Sequence, residues 1–320
     1  MRRGHPERGG LLLRGTPGVT SSFSGFIGYL VARLLKFELM ATRNIVIAPC
    51  GNKSYLFQES WLREKDKKDF DVCLLFYHET INNPALYEKV EFFYHLKGFK
   101  YFMLNELLTN VRPEWLNTYD YFYFLDDDIE IDTFQINALF ALSRAFGSAI
   151  SCASLSKDSF CSWPIFRQQP NSFCRFVGQI EVMAPLFSRE ALKTCLPSFT
   201  GNRSSWGIDS VWSKMLGYPK DRLIVFDEVV MKHTLPVGGG ELYRKIQVDP
   251  HKDWEEVVTK FGARKQNYEE YGRLQRVNAK HSRMLFLIVK VRGFWTRVER
   301  AWRDYDFWSR VRRRLPRAGS

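Results

Sequence analysis

The chain has 320 residues, 45% of them apolar and 26% charged, the balance of a globular protein with a real core and enough length for one large α/β domain or two modest ones. Its six cysteines (Cys50, Cys73, Cys152, Cys161, Cys174, Cys195) are scattered with no C-x-x-C pair, which argues against a zinc site and a disulfide framework and fits a reducing, cytoplasmic environment. The net charge of +12 sits at the ends: residues 281–320 hold 11 Lys and Arg against 3 acids, residues 1–39 hold 6 against 2, and residues 40–280 carry 30 against 30. A nucleic-acid-binding domain puts its basic residues on its folded body, so nucleic acid is not expected as a partner.

Residues 1–25, rich in Gly, Arg, Ser and Pro, read as disordered. The apolar run Phe26–Leu35 is broken by Arg33 and stopped by Lys36, too short to span a bilayer. It has the look of a signal h-region without a convincing cleavage site, and Met40 is an alternative start that would leave 1–39 outside the protein. The folded domain is expected over 40–250. Asn44–Ala48 and Asp71–Tyr77 read as buried strands, with a helix over Ala85–Leu96, a short strand at Lys100–Met103 and a helix over Leu104–Leu116.

Next comes Tyr119-Asp120-Tyr121-Phe122-Tyr123-Phe124-Leu125-Asp126-Asp127-Asp128, an aromatic strand ending in three acids. Further on, the pattern predicts a helix at Thr133–Phe146, a strand at Ala149–Ala153, a long polar and aromatic loop over Ser156–Ser172 and a strand at Phe176–Ala184. A short helix capped by Ser188, a helix at Gly207–Leu216 and strands at Leu223–Phe226 and Val229–Lys232 complete the core. Residues 251–320 are expected to be a helical extension, basic and amphipathic from about 284. There Val291, Phe294, Trp295, Val298, Trp302, Trp308 and Val311 recur at helical spacing among arginines, which suits a helix lying on an anionic membrane through 284–314, or one packed on the domain or a partner. Strand–helix alternation predicts an α/β fold of Rossmann type with a mostly parallel central sheet flanked by helices.

Three carboxylates at a strand's C-terminal end repel one another unless a cation sits among them, and ligands of open α/β sheets bind outside those ends. Asp126 and Asp128 form a D-x-D; a hard cation, Mn²⁺ or Mg²⁺, held there would face an anionic diphosphate. The bland reading is an acidic turn closing a strand. Asp209, in Trp206-Gly207-Ile208-Asp209 before a helix, is either a helix-dipole partner or a general base against an acceptor hydroxyl, with Trp206 as an aromatic wall and Gly207 allowing close approach. His233, ending the apolar Val229–Lys232 run, is either structural or completes a carboxylate metal site. The following Pro236–Gly240 is a tight or lid-like loop without the G-K-[ST] of a P-loop.

The stretch Ile180–Ala191, then Trp206–Asp209, then Lys232-His233, together with the strand and D-x-D at Tyr121–Asp128, resembles the domain of unknown function 707 family, over about residues 42–245. Plant members of that family are labelled lysine-ketoglutarate reductase trans-splicing related. The family in turn resembles GT-A glycosyltransferases. That resemblance implies a nucleotide-sugar donor, a divalent metal at the D-x-D and transfer to a hydroxyl of a saccharide or lipid-linked acceptor. Asp126 and Asp127, with Trp206 and Gly207, would then meet the donor, Asp128 and His233 the metal, and Asp209 would be the base of an inverting reaction. The expected protein is a metal-dependent, cytoplasmic glycosyltransferase resting on the inner face of a membrane. The rivals are a non-catalytic glycan- or membrane-binding module that retains the fold, and a metal-dependent nucleotidyltransferase.

Overall fold

The apolar runs that predict strands are buried on both faces, as central parallel strands require. In the computed structural model, which describes residues 43–236, 249–265 and 267–276, Asn44–Cys50 (β1), Asp71–Phe76 (β2) and Tyr121–Phe124 (β4) lie side by side and parallel, with Ile47 opposite Cys73 on one side and Phe124 on the other. Phe92–His95 (β3) extends the sheet beyond β2. On the far side of β4 come Leu186–Ser188 (β8), Ile150–Leu155 (β6), Leu223–His233 (β9), Ser172–Val177 (β7) and Glu270–Gln275 (β10). The sheet is mixed: β8 and β7 run against the common direction of the other strands in this row.

Helices Lys100–Glu106 (α1), Trp115–Thr118 (α2), Thr133–Phe146 (α3), Arg189–Cys195 (α4), Ile208–Met215 (α5) and Pro250–Phe261 (α6) flank this sheet. The alternation of β4 fixes which face each meets. Phe124 packs on Phe187 and Phe199, which lead to Trp212 of α5, whereas Tyr123 points the other way, edge-on to Phe140 of α3. The ends of α3 are written in its sequence: Asp132 accepts the Gln135 N–H at 2.9 Å, and Gly147 closes the helix in the left-handed region.

One short pairing positions the site. Immediately after the three acids, Ile129–Glu130 (β5) runs antiparallel to the last turn-free residues of β9, with Ile129 opposite His233. The sharp change of partner along β9 is made by a bulge: Phe226 pairs with Ala153, and Val230 pairs with the next residue, Ser154. The three residues in between are extra on the β9 side.

Several expected elements differ. Ala85–Leu96 is not one helix but a short turn of helix, Pro84–Lys89, and then β3; the aromatic Phe92-Phe93-Tyr94 suits a pleated surface and finds a parallel partner in Cys73–Leu75. Lys100–Met103 is the start of α1, not a strand. The strand expected at Phe176–Ala184 ends at Val177, and the next regular element is β8 at Leu186. The expected helical character of 251–280 holds for α6; Glu270–Gln275 is instead the edge strand β10, paired with β7, so the chain beyond 250 contributes to the same sheet. The features expected for 1–39, for most of the Pro236–Gly240 loop and for the basic segment 284–314 lie outside the described residues. Among the described residues no helix is long and apolar enough to cross a membrane.

Candidate functional site

The acids Asp126–Asp128 follow directly on β4, and a cavity of about 770 Å³ opens beside them. It is lined by Pro49 of β1, Tyr77 and His78 after β2 and all three acids, so it lies outside the carboxyl ends of the parallel strands, where open α/β sheets bind ligands. Asp209, Trp206, Gly207 and His233 line the same cavity. Every site residue expected from sequence is therefore brought to one place.

The three acids each meet a different partner. Asp126 forms an ion pair with Lys100 Nζ at 2.7 Å, and that ammonium also donates to the carbonyls of Phe124, Val182 and Met183 at 3.2, 3.0 and 2.7 Å. Burial pulls the Lys100 pKa down and pushes that of Asp126 up, each opposed by the attraction of the other. Asp127 accepts a hydrogen bond from Ser54 Oγ, which in turn accepts the Gly51 N–H at 2.7 Å. Burial, with Asp128 and Asp126 close by, carries the Asp127 pKa up to about 7.

Asp128 Oδ2 lies 3.1 Å from His233 Nε2, although the residues are 105 apart in sequence; the β5–β9 pairing is the cause. Thr234 locks the contact, its N–H and Oγ1 both donating to the Asp128 carbonyl at 3.0 and 2.8 Å. Burial works against a charged His233, but Asp128 and Asp126 outweigh it, and the imidazole pKa ends above its ordinary value. Asp128 Oδ1 is buried and has no hydrogen-bond partner among the described residues. A buried carboxylate oxygen without a partner is costly and calls for an explanation.

Among the described residues no group of three or more His, Cys, Asp or Glu side chains is placed to hold a metal by itself. The pair Asp128–His233 with its vacant carboxylate oxygen still fits a small hard cation, because Mg²⁺-like ions take one or two protein carboxylates and complete their shell with substrate phosphate and water.

Across the cavity, Asp209 stands in the first turn of α5. Its Oδ1 accepts the Ser210 N–H at 2.9 Å and its Oδ2 accepts Tyr268 Oη–H at 3.1 Å. Burial raises its pKa to about 6, against the hydrogen bonds from Ser210 and Tyr268 that favour the ionised form. Gly207 precedes it at φ +85°, a conformation natural to glycine, and a Cβ there would stand 2.1 Å from Trp254 Cδ1. Trp206 meets Trp254 edge-on at 6.2 Å.

Sequence reasoning assigned no role to Lys100, Glu181, Trp163, Trp254 or Tyr268, all of which line the cavity. Glu181 carries the clearest missed signal, a single acid inside the apolar Ile180–Leu186 stretch. Burial and then the neighbouring Asp209 push its pKa up to about 7. Lys100 gave no signal; an isolated lysine after Gly98-Phe99 reads as surface.

An α/β frame with an acid cluster at the ends of its parallel strands defines the class of site. Residues 30–283 match the family described as "Protein of unknown function (DUF707)", and the chain belongs to that family. No curated protein matches it. Similar solved structures include residues 1–349 of TarS from S. aureus, at 13% identity and a TM-score of 0.42, covering 69% of this chain and 72% of that one. The same fragment in complex with UDP-GlcNAc gives 14% and 0.43, covering 69% and 65%. GalNAc-T7 with UDP, GalNAc and Mn²⁺ gives 10% and 0.48, covering 69% and 48%. These likenesses assign no residue of this chain a role.

Proposed function

We propose that this protein is a metal-dependent glycosyltransferase of the GT-A type that moves a sugar from a nucleotide-sugar donor to an acceptor hydroxyl with inversion. The observation that carries the reading is the buried, unpartnered Asp128 Oδ1 beside His233, in a cavity that also holds the separate, buried carboxylate of Asp209. A bound Mn²⁺ or Mg²⁺ would supply charge neutralisation for the diphosphate leaving group. Lys100 removes the charge of Asp126, so the acid cluster does not repel a diphosphate as three free carboxylates would. Trp206 and Gly207 shape the approach to Asp209, and Asp126 and Asp127 border the donor side.

In the reaction the acceptor oxygen forms a bond to the anomeric carbon as the bond from that carbon to the phosphate oxygen breaks. The nucleoside diphosphate leaves with the electron pair, and an Asp209 oxygen takes the acceptor proton. A carboxylate whose pKa is raised to about 6 is ionised at neutral pH yet basic enough for that transfer. The basic segment 284–314 would bring the enzyme to the anionic, cytoplasmic face of a membrane and so to saccharide or lipid-linked acceptors.

The test is product analysis with a panel of nucleotide sugars and Mn²⁺. Release of a nucleoside diphosphate, reduced about 100-fold or more in Asp209→Asn, is the expected result. Release of pyrophosphate from nucleoside triphosphates would replace this reading with nucleotidyl transfer.

A further inference from the structure

Two polar atoms that the proposed chemistry does not use are stranded in the same cavity wall. Glu181 Oε2 is a buried acceptor and Trp254 Nε1 a buried donor, and neither has a partner among the described residues. Trp254 and Glu181 both line the cavity, so a ligand there comes up against both residues. Around them stands a set of aromatic rings. Trp163 lies against Tyr268 with centroids 4.4 Å apart and planes at 25°, and it meets Trp254 edge-on at 6.1 Å. Trp206 flanks Trp254 from another side. Tyr268 ties this wall to the base, donating its hydroxyl hydrogen to Asp209.

The wall is built, not incidental. Trp163 sits in the loop between β6 and β7, and that loop is held by Arg175. The buried guanidinium donates to the carbonyls of Ile165 and Arg167 and is paired with Asp227, both charged side chains being fully buried. The aromatic faces are thus placed in advance of any ligand.

We infer that the wall of Trp163, Glu181, Trp206, Trp254 and Tyr268 is the acceptor subsite, and that it takes a saccharide ring with a free hydroxyl turned toward Asp209. This rests on the glycosyltransferase reading. A pyranose presents C–H groups on its faces and hydroxyls around its edge, matching flat rings interleaved with single hydrogen-bonding atoms. A hydroxyl both donates and accepts, so neighbouring hydroxyls of one ring answer Glu181 Oε2 and Trp254 Nε1–H together. An alkyl chain would leave both atoms unpaired, and an ammonium group, which only donates, would leave the indole N–H unanswered. A wall that hydrogen-bonds hydroxyls in this way also rejects ligands that lack them.

The experiment uses the full chain with UDP, GDP and Mn²⁺ present. It measures binding to an array of glucose-, galactose-, xylose- and mannose-containing oligosaccharides, with dodecyl phosphate as the sugar-free lipid probe. Nucleotide affinity of the same samples is recorded alongside, for the wild type and for Trp163→Ala and Glu181→Ala. The expected result is binding of one oligosaccharide class that weakens about tenfold or more in both variants, with no competition from dodecyl phosphate. Nucleotide binding without any saccharide binding, saccharide binding unchanged in both variants, or binding of dodecyl phosphate alone would overturn the inference and leave the transferase reading standing. Saccharide binding that needs Trp163 and Glu181 but occurs without any nucleotide binding would keep the subsite and overturn the transferase reading. Binding of neither overturns both.

Discussion

At the scale of single residues, the balance of charge around the two halves of the cavity sets the expected pH behaviour. As the proposed general base, Asp209 would act only when ionised, and its pKa is raised to about 6. Activity should therefore rise as pH increases through about 6 and fall below it, and a pH–rate profile of kcat/KM reports this directly. Stability has the opposite sign. Asp209 and Glu181 hold their protons to about 6 and about 7 in the folded chain, against ordinary carboxyl values of 3.8 and 4.5. Between roughly pH 4 and 7 the folded state binds more protons than the unfolded one, so the contribution of these two groups to stability falls as pH rises across that window. Urea midpoints of the ligand-free protein at a series of pH values measure it. Gly207 offers a second test. Any Cβ meets the Trp254 ring and the backbone sits at φ +85°, so Gly207→Ala should destabilise by about 2–4 kcal/mol in thermal or denaturant unfolding. The residues of this site were legible in sequence where a chemical oddity marked them: three adjacent acids after an aromatic run, and a histidine closing an apolar one. Lys100 was not, because its pairing with Asp126 depends on helix α1 returning over the end of β4, which no local pattern announces.

At the scale of elements, the loop Ser156–Asn171 and the bulge in β9 depend on one buried ion pair. Arg175 Nε and Nη2 meet Asp227 Oδ2 and Oδ1 at 2.8 and 2.9 Å with both side chains fully buried, and the Gln169 N–H adds a third bond to Asp227 at 3.0 Å. Removing one partner leaves the other charge buried alone. Asp227→Ala should therefore cost about 3–5 kcal/mol in denaturant unfolding. Replacing both residues by apolar side chains of similar volume should cost much less, since the pair's own attraction is largely offset by its desolvation. Continuous apolar strands such as β1, β2 and β4, and the capped helix α3, were readable from their patterns to within a residue or two. The helix expected over Ala85–Leu96 failed because helical spacing of Leu86, Val90, Phe93 and Tyr94 is also compatible with a turn followed by a strand, and only the open edge of β2 decides between them. β10 was missed for a related reason. Glu270–Gln275 is polar and becomes a strand by pairing with β7 at the sheet edge, a tertiary cause with little local signature.

At the scale of the whole molecule, residues 40–280 are neutral and the positive charge sits at the two ends, a division that on the proposed reading would separate catalysis from localisation. If 284–314 provides membrane contact, the full chain should sediment with vesicles containing phosphatidylserine and not with phosphatidylcholine alone. Raising ionic strength should release it, as screening of the basic residues requires. Charge distribution was plain in the sequence, while the common cavity was not, since it joins residues from Pro49 to Tyr268. The central claim is that Asp128 and His233 hold a divalent cation against a nucleoside diphosphate. Calorimetric titration of UDP and GDP into the full chain, with and without Mn²⁺, tests it most directly when repeated on Asp128→Asn. The account predicts metal-dependent binding of one nucleotide at Kd values of about 1–100 μM, lost in the variant. Binding that is indifferent to Mn²⁺, or that survives unchanged in Asp128→Asn, would contradict it.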